Sequence, residues 1–302
     1  MYDVAIVGAG PAGISAAIAL ACEGKQVVVL EQSYIVGGQI AHSHLVENVA
    51  GYRNGFSGED FAIQSYEQAI SLGVDILLGH QVLRLYGERN NFILWTDPGD
   101  IHARAVLITV GVAPRPLPFA VLMEEEGCNI TNELHLQPAN PGEHVLVYGG
   151  GNSAGQAATY YARRGCTVTL LSRRPVQETM DARWIVTLAS LGVYNTVGEI
   201  QHVDNDTVVF SSSGEAQRLI PHTLHAFTGG DPVTGWLDGW VQVDDRGYIV
   251  TDDHHCTTTP GIFAAGDCVS GSVKKFTCAV GGGCEAVPYI GQCLSLDASR
   301  MV

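Results

Sequence analysis

The chain has 302 residues and eight cysteines, at positions 22, 128, 166, 256, 268, 278, 284 and 293, yet no two of them stand in C-x-x-C spacing. That absence excludes the simplest dithiol relay. With no Cys/His cluster at zinc-finger spacing, it excludes the simplest zinc site too. Positive charge is scarce as well: 16 Lys+Arg against 31 Asp+Glu leave a formal charge of −15. A surface that follows nucleic-acid phosphates needs clustered Lys and Arg, so no nucleic-acid partner is expected. No apolar run approaches the ~18 residues of a membrane span, so no membrane partner is expected either. The apolar start, residues 4–21, has Asp3 where the basic region of a signal peptide would stand, and glycines run through it. The expectation is a soluble, cytoplasmic protein whose cysteines are mostly buried free thiols.

What the chain does have is glycine and apolar residues: 36 Gly, 46 % hydrophobic and only 16 % charged. That composition predicts a globular protein. At roughly 150 residues per domain, the length predicts two domains. Periodicity divides the start into a strand (3–7), a glycine turn, a helix (11–23) and a second strand (26–31), which is a βαβ unit. The same unit recurs about 140 residues later: strand 144–148, glycine turn, helix 153–164, strand 167–172. Strand alternation at 82–86, 92–96 and 105–110 lies between the two units. Residues 112–118 hold three prolines and read as a crossing between domains, as does 228–236, rich in Gly, Asp and Pro. After the second crossing the chain returns to an apolar strand at 261–267 and a helix from about Cys278. The predicted class is α/β, with two Rossmann-like nucleotide-binding domains. One is built from residues 1–112 and 236–302, and the other, residues 113–235, is inserted into it.

The two glycine turns carry chemistry. In Gly8-Ala9-Gly10-Pro11-Ala12-Gly13, Gly8 allows the tight turn and Gly10 lets a pyrophosphate approach the backbone. Gly13 lets helix and strand pack closely, and the helix N-terminus favours the anion. Glu31, 23 residues after Gly8 at the end of the second strand, can accept hydrogen bonds from both ribose hydroxyls. The second turn, Gly149-Gly150-Gly151-Asn152-Ser153-Ala154, keeps the frame, but the position equivalent to Glu31 is Ser172, followed by Arg173 and Arg174. A carboxylate would repel a 2′-phosphate, whereas guanidinium groups pair with it. The first site therefore suits a nucleotide with free ribose hydroxyls and the second suits NADPH.

In this order the motifs resemble the low-molecular-weight thioredoxin reductase family of two-domain flavoproteins. The resemblance runs through Gly37-Gly38-Gln39, Glu47-Asn48, Thr109-Val110-Gly111, the second glycine turn, Arg173-Arg174 and the segment from Gly261 to Gly266-Asp267. It implies two three-layer (ββα) domains, the NADPH domain inserted into the FAD domain, and a homodimer. It also implies FAD in the domain built from both ends, with Asp267 near the ribityl and pyrophosphate part. Gln39, Asn48 and the Lys275-Phe276 segment would approach the flavin ring, and Val82 joins the cofactor-binding set. Relatives read Arg-Gln-Ala where this chain reads Lys274-Lys275-Phe276, and they carry a C-x-x-C shortly before the second glycine turn. Here that stretch holds only Cys128. A disulfide relay needs one thiol to attack and another to resolve. The chain thus resembles the branch that lacks the redox dithiol. The resemblance further implies domain rotation about the two crossings.

The resulting expectation is an FAD-dependent NAD(P)H oxidoreductase that hands electrons to a small-molecule or small redox-protein acceptor, with no protein side chain as catalytic nucleophile. Three rivals stay open at this point. One is a ferredoxin–NADP reductase of the same type, which the −15 charge matches poorly because ferredoxins are acidic. The others are a thiol–disulfide enzyme using Cys128, and a non-catalytic FAD/NADPH-binding redox sensor. His42 and His44 read either as proton shuttles near the flavin or as loop histidines. Cys268 reads as packing and Glu124 to Glu126 as a solvated face. His254-His255-Cys256 does not read as a metal site, since neighbours on a strand face opposite ways.

Overall fold

The computed structural model describes residues 1–122, 128–132 and 136–298; Glu124 to Glu126 lie outside them. By contacts the chain divides into Met1–Ala113 with Asp231–Val302, and Pro114–Gly230.

The first unit begins with β1 (Tyr2–Val7), α1 (Pro11–Cys22) and β2 (Val27–Glu31), followed by α2 (Gly58–Ser71) and β3 (Asp75–Leu78). A meander of β4 (Val82–Glu88), β5 (Asn91–Thr96) and β6 (Gly99–Ile108) completes this part. β1 pairs in parallel with β2 and with the second half of β6, and β3 adds to β2. β6 therefore joins the parallel and antiparallel parts of one seven-stranded sheet. Its end belongs to the parallel sheet, while its start pairs antiparallel with β5. β1 is buried on both faces, as parallel strands are. Its Val4 and Ile6 pack under α1, whereas Ala5 and Val7 pack against Phe92 and Leu94 of the meander. Helices, parallel sheet and meander are thus three layers, and the alternation along one strand feeds both cores.

β7 (Val112–Pro114) leads into the second unit: β8 (Ala120–Leu122), β9 (Asn129–Thr131), β10 (His144–Tyr148), α3 (Asn152–Arg163), β11 (Thr167–Ser172) and α4 (Ala182–Ser190). Then come β12 (Tyr194–Asp204), β13 (Thr207–Ser212), β14 (Glu215–Leu219) and β15 (Thr223–Ala226). The strand order β12-β11-β10-β15-β9 is parallel, and β12-β13-β14 turn back as an antiparallel meander. The same device recurs. Val145 and Val147 face α3 and α4, while Leu146 and Tyr148 face the meander.

β16 (Gly230–Pro232) returns the chain and pairs with β7 as a two-stranded ribbon. β17 (Ile262–Ala264) then joins β6, and α5 (Phe276–Ala298) ends the described chain. The division between the two units falls in the ribbon strands β7 and β16, which lie within the two crossings read in the sequence. α5 starts two residues before Cys278. No helix of the described residues is long and apolar enough to cross a membrane.

Candidate functional site

In the first unit the glycine turn joins β1 to α1. Gly8 takes φ +103°, and a Cβ there would stand 2.5 Å from the Thr109 carbonyl oxygen. A Cβ on Gly13 would stand 2.0 Å from the Gly8 oxygen. Thr109, just past the end of β6, closes the same knot, its hydroxyl lying 3.0 and 2.9 Å from the Val7 and Gly8 carbonyls. Gly10 differs: no atom lies within 4 Å of a Cβ built on it. The turn is tied down behind and open in front, before a helix N-terminus with no side-chain cap. That is an anion-binding arrangement with room for a pyrophosphate.

Three segments distant in sequence converge on this opening. Gly38 (φ +53°) would bring a Cβ to 3.2 Å from the Gly10 Cα, and Gly266 (φ +80°) one to 2.9 Å from the Ala12 Cβ. Gly283, in α5, lies so close to α1 that a Cβ would stand 2.1 Å from the Ala12 oxygen. Sequence reasoning missed Gly283. The available signal was the run Gly281-Gly282-Gly283 inside a helix, where glycine is costly unless a close approach requires it. Gly283→Ala should force α5 off α1, destabilising the unit by about 2 kcal/mol. A lowered melting temperature with earlier flavin release checks this.

The polar groups fit a flavin nucleotide. Glu31, only 9 % exposed, accepts the Ala9 N–H at 2.8 Å through one carboxylate oxygen and the Ser33 N–H at 2.9 Å through the other. A carboxylate offers about four acceptor sites, so two remain for ribose hydroxyls. Asp267 sits in the turn after β17, and its Oδ1 is buried without a hydrogen-bond partner in the protein. Burial pushes its carboxyl up, and Lys274 opposes that shift. An orphaned acceptor at the rim of the cradle is what a ligand hydroxyl or N–H would satisfy. The Lys274 ammonium bonds the Asp267 carbonyl and Ser272, 4.2 Å above the Tyr248 ring.

The remaining candidates of this unit are placed less centrally. Gln39 follows Gly38 and donates to the Val112 carbonyl at 2.6 Å, and Gly111 takes φ +62° just before it. Asn48 is exposed in the loop closed by the Val46–Phe56 bridge. Val82 is buried in the meander core, so only its peptide groups remain for a ligand. Lys275 is exposed. Phe276 is held edge-on by Phe61 and Phe56, at 4.9 and 5.6 Å between ring centroids. His42 ends the short helix that begins at Gly38, and His44 is exposed beyond it. Cys268 is wholly buried, with its thiol pushed up to about 11, as a packing residue. His254 packs its ring on Tyr289, whereas His255 bonds the Ala264 carbonyl and Glu285. Among the described residues no three His, Cys, Asp or Glu side chains are grouped to hold a metal.

The second unit repeats the cradle. Gly149 (φ +157°) would bring a Cβ to 2.8 Å from the Phe227 oxygen and 3.2 Å from the Ala154 Cβ, while Gly151 faces open space. α3 starts at Asn152 without a side-chain cap, Ser153 is exposed, and Ala154 is buried beneath the turn. Ser172 donates to the Arg174 carbonyl at 2.7 Å, which fixes the bend at the end of β11. Arg173 and Arg174 follow it, both exposed. Among the described residues neither has an ion-pair partner, so both are available to a 2′-phosphate. Cys128 lies elsewhere in this unit, 3 % exposed in the meander core, and burial pushes its thiol up to about 11.

A model of the pyridine nucleotide-disulphide oxidoreductase family matches residues 2–283. The chain belongs to that family. It is 31 % identical over 296 residues to a thioredoxin reductase of Treponema pallidum, covering 94 % of each chain. Its fold is similar to the solved thioredoxin reductases of T. acidophilum, with TM-score 0.86, 28 % identity and 98 % of both chains covered, and of Lactococcus lactis, with TM-score 0.86, 25 % identity and 98 % and 99 % covered. Family membership makes the protein a flavoprotein oxidoreductase with FAD and NADPH as its cofactors, on the two-domain α/β fold.

Proposed function

We propose that the first glycine turn holds FAD and the second NADPH, and that electrons leave for a small-molecule or small redox-protein acceptor without passing through protein thiols. When bound, the cofactors would supply the redox chemistry, the nicotinamide as hydride donor and the flavin as the electron carrier to the acceptor. The chain's own work is to bind and orient. Gly8, Gly10, Ala12 and Gly13 shape the opening for the flavin nucleotide's pyrophosphate, with Gly38 and Gly266 converging on it and Thr109 behind the turn. Glu31 takes the ribose hydroxyls and Asp267 a further donor of the bound nucleotide. Gln39, Asn48, Val82, Gly111, Lys275 and Phe276 complete that set. Gly149, Gly151, Asn152, Ser153 and Ala154 form the second cradle, with Arg173 and Arg174 for the 2′-phosphate.

The observation that carries the thiol-free reading is Cys128. It is the one cysteine in the stretch where relatives hold a pair, it is packed among Phe119, Leu146 and Leu224, and its thiol is shifted to about 11. The thiolate is the reactive form, and burial of this kind suppresses it. Cys128→Ser should therefore leave flavin reduction by NADPH and turnover with small acceptors near the parent level. Loss of turnover in that variant would return the protein to disulfide chemistry. A homodimer and a cytoplasmic location belong to the same proposal. The outer face of α2 supports the first, because Ile63, Tyr66 and Ile70 lie exposed at i, i+3 and i+7. Light scattering at micromolar concentration reads the dimer directly.

A further inference from the structure

Asp181 occupies the N-cap position of α4, where an aspartate ordinarily caps its own helix. Here it makes no side-chain cap bond to α4. Its carboxylate instead accepts the Asn152 Nδ2–H at 3.0 Å, while its backbone N–H donates to Asn152 Oδ1 at 2.8 Å. Asn152 is the first residue of α3, directly after the second glycine turn. The same stretch is fastened again two residues earlier, where the Thr179 hydroxyl donates to the Gly150 carbonyl at 2.7 Å. Gly155 then packs against Met180 and Trp184. A negative charge is thereby brought, from another helix, to the positive end of α3, whose own first turn contains no acidic residue. The first cradle has no such device, because the equivalent residue there is Pro11.

We propose that Asp181 sets the affinity of the pyridine nucleotide: its carboxylate, carried to the start of α3 by Asn152, opposes the dinucleotide's bridging phosphates and keeps NADP(H) exchangeable. This rests on reading the second glycine turn as the NADPH site. The contrast between the cradles has a functional logic. A flavin nucleotide that stays bound gains from an uncompensated helix end. A nicotinamide nucleotide that must leave after each turnover gains from a negative charge held beside that end. The effect is electrostatic, acts over several ångströms at an exposed group, and is accordingly moderate and sensitive to salt.

Asp181→Asn tests this while keeping the bonding pattern, because an amide oxygen still accepts from Asn152 and the backbone N–H is untouched. The measurement is calorimetric binding of NADP⁺ and of 2′-AMP to the flavin-loaded protein. NADP⁺ presents bridging phosphates to α3, whereas 2′-AMP addresses only Arg173 and Arg174. NADP⁺ should bind the variant about five- to tenfold more tightly at low salt, the gain fading toward ~1 M salt, where the Debye length is about 3 Å. Binding of 2′-AMP should not change. Unchanged or weaker NADP⁺ binding would overturn the proposal, and equal tightening of 2′-AMP would do so by assigning the effect to net charge. A parent protein that binds 2′-AMP but not NADP⁺, or binds neither, would instead overturn the reading of the second turn, and this inference with it.

Discussion

Gly10→Val should give a folded but colourless protein. Gly10 has φ −71° and ψ −179°, a conformation open to any residue. A Cβ built there meets no atom within 4 Å, so the fold itself has room for the branch. The cost to the protein is limited to a poorer N-cap for α1, on the order of 1 kcal/mol. The cost to the cofactor is far larger, since the two methyl groups stand in the opening before the helix N-terminus. Flavin absorbance per chain should fall at least ~10-fold, the equivalent of ~1.4 kcal/mol or more in binding. Circular dichroism should remain that of the parent. Gly8→Ala is the informative contrast. There a Cβ would collide with the Thr109 carbonyl from a left-handed backbone, so the protein should lose stability as well as colour. A Gly10→Val protein that stayed yellow would remove FAD from the first turn.

Replacing Arg173 and Arg174 together by alanine should reduce the preference for NADPH over NADH by about 10²-fold. Each guanidinium–phosphate hydrogen-bonded pair is worth roughly 1.5–3 kcal/mol, and the low end suits groups as exposed as these. The effect should appear in kcat/KM for NADPH and leave NADH nearly untouched, because only the 2′-phosphate distinguishes the two. Neither arginine holds an ion pair among the described residues, so their removal strands no partner charge. An unchanged NADPH/NADH ratio would reduce the pair to surface charge.

Much of this was legible in the residues because the two turns are local devices. Strand, glycines, helix and the acidic or basic residue at the end of the next strand lie within some thirty residues, and the structure assembles them as the spacing predicts. The boundaries were less legible. β6 extends six residues ahead of the stretch read as a strand; that first half alternates from Asp100 to Ala105, but it opens on the exposed Gly99 and Asp100. α2 and α4 were not read at all. α2 buries Ala62, Ser65 and Ala69, small residues that make a weak apolar stripe. Convergence was not legible either. That Gly38, Gly266 and Gly283 meet at one opening is a fact of tertiary packing, and no spacing encodes it. Asp181 belongs to none of the motifs that the sequence shows. Only the reciprocal bonds with Asn152 connect it to the nucleotide turn.

The central claim is that the protein stores electrons on its flavin alone. Anaerobic titration of the purified holoprotein with NADPH, followed by flavin bleaching and by thiol counting before and after, tests it most directly. A flavin without a partner dithiol takes up one NADPH per FAD, and the number of titratable thiols stays the same. A flavin coupled to a redox-active cysteine pair takes up two NADPH, because four electrons are needed, and exposes two new thiols. The account predicts the first result; uptake of two NADPH per FAD with two thiols appearing would contradict it.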